Sequence, residues 1–173
     1  MNVRASEATE TGPRNARIVT PVESLAELVG GHPESIRNIF SRGAATDPGE
    51  LGDAPSGRLL ALEPLGSVHL LARPIVRLLA RSSVWGGVGF DHGGNAGFNR
   101  WLGTRAHRFR TGVEPSELDG RPTLVLRYDR NGWPVSSLRD ELRTVRPGLA
   151  LGPFFVRAGE RFHLIGWMGL EQA

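Results

Sequence analysis

The sequence predicts an α+β domain: a small antiparallel β-barrel with an N-terminal helical hairpin and one or two helices packed on or capping it. Three observations carry this expectation. From Ser83 onward the chain runs in short segments of alternating or apolar residues separated by turn residues, a strand texture. Glycines at 86, 87, 89, 93, 94 and 97 crowd the first of these segments, as in strands that bend sharply or admit another backbone. About five to seven antiparallel strands with short connections must hide their edges, and closure into a barrel does so most completely. A two-layer α+β sandwich is the alternative architecture.

Taken in order, residues 1–18 read as a flexible tail of Ser, Thr, Glu, Gly, Pro and Arg with little to bury. Residues 19–173 form one domain, with a helical hairpin over 20–43 and the barrel over 57–171. Thr20 and Glu23 have capping-box spacing with Pro21 at the first helical position. Leu25, Leu28 and Val29 share a face, and Gly30-Gly31 stops that helix. Pro33 opens a second helix with Ile36, Ile39 and Phe40 on one face, ending at Gly43. Residues 44–57 read as loop, and Arg58 to Glu63 as a short strand. Val68 to Arg81 suggests a buried helix, kinked or started near Pro74.

The strands expected next are Val84 to Asp91, Gly97 to Leu102, Ala106 to Val113 and Thr123 to Asp129. In the last, Leu124, Leu126 and Tyr128 share one face, so Tyr128 points inward with them. Ser136 to Val145 reads as a short amphipathic helix with Ser137 and Asp140 as a capping pair. Leu149 to Arg157 and Arg161 to Leu170 form a terminal hairpin turning at Ala158-Gly159-Glu160.

Composition bounds the function. The chain has 173 residues and no Cys, which excludes disulfides, thiolate metal sites and a Cys nucleophile, and fits a reducing, cytoplasmic setting. Its basic residues are 21 Arg with no Lys, which excludes Schiff-base and P-loop lysines. An all-arginine set suits bidentate anion binding, but the codon usage of a G+C-rich genome produces it equally and is the plainer explanation. The net charge of only +3 argues against a nucleic-acid partner. The most apolar stretch, Val68 to Ala80, carries His69, Arg73 and Arg77 and is too short to span a bilayer. The five His, at 32, 69, 92, 107 and 163, have no metal-site spacing, and no cofactor is expected. Gly86-Gly87-Val88-Gly89 precedes no helix in a βαβ setting and is no phosphate loop.

The chemistry-bearing candidates are few. Asp91-His92-Gly93-Gly94-Asn95 places His92 on a glycine-rich turn, where it suits a general base or simply a polar turn tip. Tyr128 is the single Tyr; buried, its hydroxyl needs a partner, which Asp140 or Arg139 of the following segment supplies. His92, Tyr128 and Asp140 are the residues that acid–base chemistry would use. Trp85, Phe90, Asn99, Trp101, Arg108, Arg139 and Trp167 are the expected ligand-binding set, with Trp85 and Trp167 lining an apolar cavity and an arginine meeting an anionic or carbonyl end.

Two stretches carry a family resemblance. They are Ser83-Val84-Trp85-Gly86-Gly87-Val88-Gly89-Phe90 and Tyr128-Asp129-Arg130-Asn131-Gly132-Trp133-Pro134-Val135, the latter running into Arg139-Asp140-Glu141-Leu142-Arg143 and Pro147-Gly148-Leu149-Ala150-Leu151-Gly152. Together, over about residues 50–170, they resemble the small lipocalin-like barrel proteins of bacteria and fungi named for a Gly-X-Trp-X-Gly motif, which carry a Tyr-Asp, a Pro and an Asp-x-x-Arg helix before the last strands. Here Ser83 stands for the first Gly; an alignment on Gly52 to Gly57 lacks the Trp. The resemblance implies a lipocalin- or calycin-like ligand-binding barrel. The Trp-x-Gly-x-Gly portion is also similar to nitrobindin-type haem barrels, which would make His163 an axial ligand, although a helix at 136–145 is foreign to that pattern.

The expected function is therefore a barrel that binds an apolar small molecule. The alternative is a cofactor-independent cyclase, isomerase or hydrolyase of secondary metabolism on the same barrel, and a further one is haem binding.

Overall fold

The computed structural model describes residues 22–63 and 85–173. The expected tail, the helix start at Thr20 and Pro21, the helix over Val68 to Arg81 and the Ser83-Val84 dipeptide lie outside the described residues. The nine strands are β1 (Ala44–Ala45), β2 (Ser56–Leu62), β3 (Trp85–Phe90), β4 (Ala96–Trp101), β5 (Thr104–Pro115), β6 (Pro122–Arg127), β7 (Leu138–Arg146), β8 (Leu149–Ala158) and β9 (Arg161–Glu171). They make one antiparallel sheet in the order β1-β7-β6-β5-β4-β3-β2-β9-β8, and the additional pairing of β7 with β8 closes it. The result is an eight-stranded barrel, with β1 as an extra short strand beside β7, where Ala44 faces Thr144.

Because neighbours in the barrel are antiparallel, connections fall alternately at its two ends. The segment 46–55 and the connections 91–95, 116–121 and 147–148 lie at one end. The connections 102–103, 128–137 and 159–160 lie at the other. The first end is plugged. A single helical turn, α3 (Pro48–Leu51), starts at Asp47, whose side chain accepts from the Gly49 amide, and it drops Leu51 into the lumen. The Phe90 amide donates to the Asp53 carbonyl at 2.9 Å and ties that plug to β3. Residues 44–57, expected as loop, thus hold β1 and a helical turn.

The barrel wall separates two apolar layers. Inside are Val88, Phe90, Phe109, Leu124, Leu126, Tyr128, Leu142, Ala150, Met168 and Leu170, all buried with Leu51. Outside, Leu60, Ala61, Leu149, Leu151 and Trp167 pack against Leu25 of α1 (Leu25–Leu28) and Ile36 and Phe40 of α2 (Pro33–Phe40). The two helices occur near their expected places, but α1 is one turn, and each packs on strands: α1 on β2 and β9, α2 on β7, β8 and β9.

The helix expected over Ser136 to Val145 is instead strand β7. A 3-10 turn at Val135–Ser137 precedes it, and the Ser137 hydroxyl donates to the Pro134 carbonyl at 2.6 Å rather than capping a helix. The reason is a strict period of two. Leu138, Asp140 and Leu142 face the lumen, and Arg139, Glu141 and Arg143 face out; all three outward charges are buried and partnered, so they mimic the solvated face of an amphipathic helix.

Candidate functional site

A file of polar side chains crosses the otherwise apolar lumen. Trp85 Nε1 donates to Asn99 Oδ1 at 2.9 Å, Asn99 Nδ2 donates to the Tyr128 hydroxyl at 2.9 Å, and that hydroxyl donates to Asp140 Oδ2 at 2.7 Å. Each residue comes from a different wall element. Trp85 opens β3, where an irregularity between Trp85 and Gly87 puts its ring on the lumen side with Val88 and Phe90. Asn99 is on β4. Tyr128 follows β6 in the phase of Leu124 and Leu126, and Asp140 is on β7 opposite Leu126. Phe109 packs edge-on against Tyr128, and Phe90 edge-on against Phe109, so the file has an aromatic wall.

The electrostatics follow from burial. Among the described residues, Tyr128 is the single hydrogen-bond donor to the Asp140 carboxyl. Loss of water raises the Asp140 pKa to about 7, and the bond from Tyr128 only partly opposes this. The Tyr128 hydroxyl is pushed well above its ordinary value, first by burial and then by the Asp140 charge it touches. Near neutrality this pair therefore shares a proton that Asp140 gives up or takes back, while Tyr128 stays a neutral donor.

The file lies toward the barrel end opposite α3. Half-buried Trp85, Val135, Leu138 and Phe154 pack against the same lumen core, and Trp101, Leu102 and Trp133 stand exposed at that end. Val135, Leu138, Phe154 and Phe109 did not emerge from the sequence as site residues. Their inward phase depends on strand register, and a helical reading of 136–145 hides it.

The structure thus brings together Trp85, Asn99, Tyr128 and Asp140, with Phe90 in the same lumen and Trp101 at its rim. It separates the others. His92 is exposed on the 91–95 turn at the plugged end, away from Tyr128 and Asp140, so the expected three-residue acid–base set does not assemble. Arg108 is on the outer surface, 3.9 Å from Asp91. Arg139 faces outward and bonds Glu141 at 2.9 Å, Glu114 at 3.0 Å and the Pro115 carbonyl at 2.8 Å, clamping the 116–121 connection rather than meeting a ligand. Trp167, expected in the cavity, is in the outer layer, edge-on to Phe40 at 5.9 Å. The irregularity between Phe154 and Phe155, opposite Gly166 and Leu164, shifts the phase of β9 and turns Trp167 outward. His163 is exposed.

Two surface clefts, of about 430 and 260 Å³, lie elsewhere. One is bounded by Glu50, Thr144, Arg146 and Gln172, the other by Asp91, Arg108, Arg110 and Asp129. Neither includes a member of the polar file; the buried hydrogen-bond chemistry, not cleft size, marks the candidate site. The described lumen residues Val88, Phe109, Leu126, Leu142 and Met168 are apolar and offer haem iron no histidine, and His163, the expected axial ligand, is exposed. Among the described residues no group of three His, Cys, Asp or Glu is placed to hold a metal ion, and no helix is long and apolar enough to cross a membrane.

No family model and no curated protein matches the chain. A solved structure does: a crystal structure described as a protein from Thermomonospora curvata, with a TM-score of 0.52 and 13% sequence identity, covering 86% of this chain and 93% of that one. At that identity the likeness establishes the fold alone, a barrel of the same kind.

Proposed function

We propose that this chain binds a small, largely apolar molecule carrying one hydroxyl or carbonyl oxygen, held toward the barrel end opposite α3 with that oxygen against the Tyr128–Asp140 pair. The observation that carries this is the polar file itself. Burying an indole N–H, an amide, a phenol and a carboxyl in an apolar lumen costs free energy that hydrophobic side chains would not incur. The file serves fold stability poorly and polar recognition well. Half-buried Trp85, Val135, Leu138 and Phe154 supply the apolar contact. The resemblance of Ser83–Phe90 and Tyr128–Val135 to the Gly-X-Trp-X-Gly barrel family supports the same reading.

Native mass spectrometry of the protein purified from its own host tests it. A bound organic mass, lost in Tyr128→Phe or Asp140→Asn, is the expected result. A protein that carries no organic mass and takes up no anilinonaphthalene sulfonate overturns it.

A second reading has one specific observation behind it. A carboxyl with a pKa of about 7, hydrogen-bonded to a phenol, suits proton transfer to or from a bound substrate. On that reading the barrel is a cofactor-independent isomerase, cyclase or hydrolyase, with Asp140 moving the proton and Tyr128 hydrogen-bonding the substrate oxygen. With the bound compound as substrate, Asp140→Asn would then bind it without turning it over. Equal turnover in the variant excludes the reading.

A further inference from the structure

The described part of the barrel end opposite α3 combines two surface features. Large apolar side chains stand in water there: Trp133 is 85% exposed, Leu102 74% and Trp101 39%. Trp101 ends β4, Leu102 is in the β4–β5 connection and Trp133 is in the 128–137 connection. The two connections are adjacent, because Asn131 Nδ2 donates to the Arg108 carbonyl of β5 at 2.6 Å. Apolar side chains at the tips of turns make protruding points, not the concave groove a peptide or helix would need.

The second feature is charge. Arg105, Arg130, Arg157 and Arg161 are exposed on or beside the three described connections of this end, and among the described residues none of them is in an ion pair. The exposed acids nearby are Glu160, between Arg157 and Arg161, and Asp129, which Arg110 already bonds. At the plugged end Asp47, Glu50, Asp53, Glu117 and Asp119 are exposed beside Arg121, with Asp119 bonded by Arg143 and Glu117 3.9 Å from Arg139. Among the described residues, the Trp-bearing end is therefore basic and the plugged end carries more exposed acids than bases.

We infer that this Trp-bearing end docks on an anionic lipid bilayer surface, with Trp133, Leu102 and Trp101 entering the headgroup layer and the arginines meeting lipid phosphates. Tryptophan favours that interface because its ring is apolar and its N–H is polar. Arginines ringing the apolar points pair with anionic headgroups, while their stems lie along the acyl boundary. An acidic protein partner satisfies the arginines but leaves three separated apolar tips without a matching cavity. The inference concerns the outer rim and is independent of what the lumen holds.

The test uses the intact chain with vesicles of phosphatidylcholine, alone or mixed with phosphatidylglycerol. The chain is expected to pellet with the mixed vesicles only, with a blue shift in tryptophan emission. Trp133→Ala with Leu102→Ser lowers the partition coefficient by about tenfold or more, and each of Arg157→Glu and Arg161→Glu by about fivefold. All four positions are exposed, so the variants keep the melting temperature of the parent. No pelleting, equal pelleting with both vesicle types, or variants that bind like the parent each overturn the inference. So does a protein that ignores vesicles but self-associates in solution and becomes monomeric in the Trp133→Ala, Leu102→Ser variant.

Discussion

Asp140 and Glu141 are neighbours on β7 and face opposite sides of the barrel wall. Glu141 faces out and accepts from the Ser116 hydroxyl, the Glu117 amide and Arg139, so its charge is well compensated although the residue is fully buried. Asp140 faces in and has Tyr128. That contrast sets a pH dependence. A carboxyl whose pKa is higher in the folded than in the unfolded chain binds its proton more tightly when folded. Its stabilising contribution is therefore complete below the unfolded value of about 4 and is lost as pH rises toward about 7. The slope is about 1.4 kcal/mol per pH unit within that interval. Glu114 and Asp119 act with the opposite sign, since hydrogen bonds from Arg127 and Arg143 hold their carboxyls below the ordinary range. Their contribution is present above that range and lost only at lower pH. Denaturant unfolding between about pH 5 and 8 is expected to show stability falling with pH in the native chain and nearly flat in Asp140→Asn, with the variant the more stable at the alkaline end. Parallel curves would show that Asp140 is ionised throughout. On the outer face, Arg143 is fully buried, reaches both Asp119 oxygens at 2.7 Å and stacks over Phe40. Arg143→Lys keeps the charge but not the fork, and is expected to cost about 1–3 kcal/mol, with faster amide exchange in the 116–121 connection as its signature.

At the scale of elements, β7 and β8 form the seam that turns the sheet into a barrel, and Gly152 sits where the two backbones come closest. A Cβ there would collide with the Glu141 carbonyl, so the strands would have to part. Gly152→Ala is expected to destabilise by about 3 kcal/mol or more, read as a lower denaturation midpoint; an unchanged midpoint would mean the seam is looser than its geometry. The barrel was legible in the sequence because β5 and β6 show alternation and β3, β4, β8 and β9 are short apolar or glycine-rich runs between turn residues, and the inward face of Tyr128 followed from Leu124 and Leu126. The identity of β7 was not legible. Its Leu-Arg-Asp-Glu-Leu-Arg run fits both a period of two and one helical face, and only the partners of the outward charges, on the 116–121 connection and on β5, decide between them. The outward turn of Trp167 was equally hidden, because the irregularity before it depends on pairing with β8. The association of Trp85, Asn99, Tyr128 and Asp140 required the strand order, which no local pattern contains.

In the molecule as a whole, the helical layer and the lumen are joined by shared strands. On β9, Trp167 belongs to the outer layer while Met168 and Leu170 belong to the lumen; on β8, Leu149 and Leu151 face out while Ala150 faces in. A strand cannot lose order on one face and keep it on the other, so the two layers should melt together. Phe40 tests this, since it is buried in α2 against Trp167 and under the Arg143 guanidinium and belongs to the outer layer. Phe40→Ala leaves a cavity in the outer layer and should cost about 3–5 kcal/mol, a large part of the 5–15 kcal/mol typical of a domain. If the layers are coupled, far-ultraviolet circular dichroism, which follows the sheet, and tryptophan fluorescence, whose change on unfolding comes mainly from Trp167 outside and Trp85 inside because Trp101 and Trp133 are already exposed, shift to the same lower midpoint and stay superimposed. A variant whose fluorescence changes first while the sheet signal holds would show the helices to be a separable cover. The barrel would then be the cooperative unit by itself.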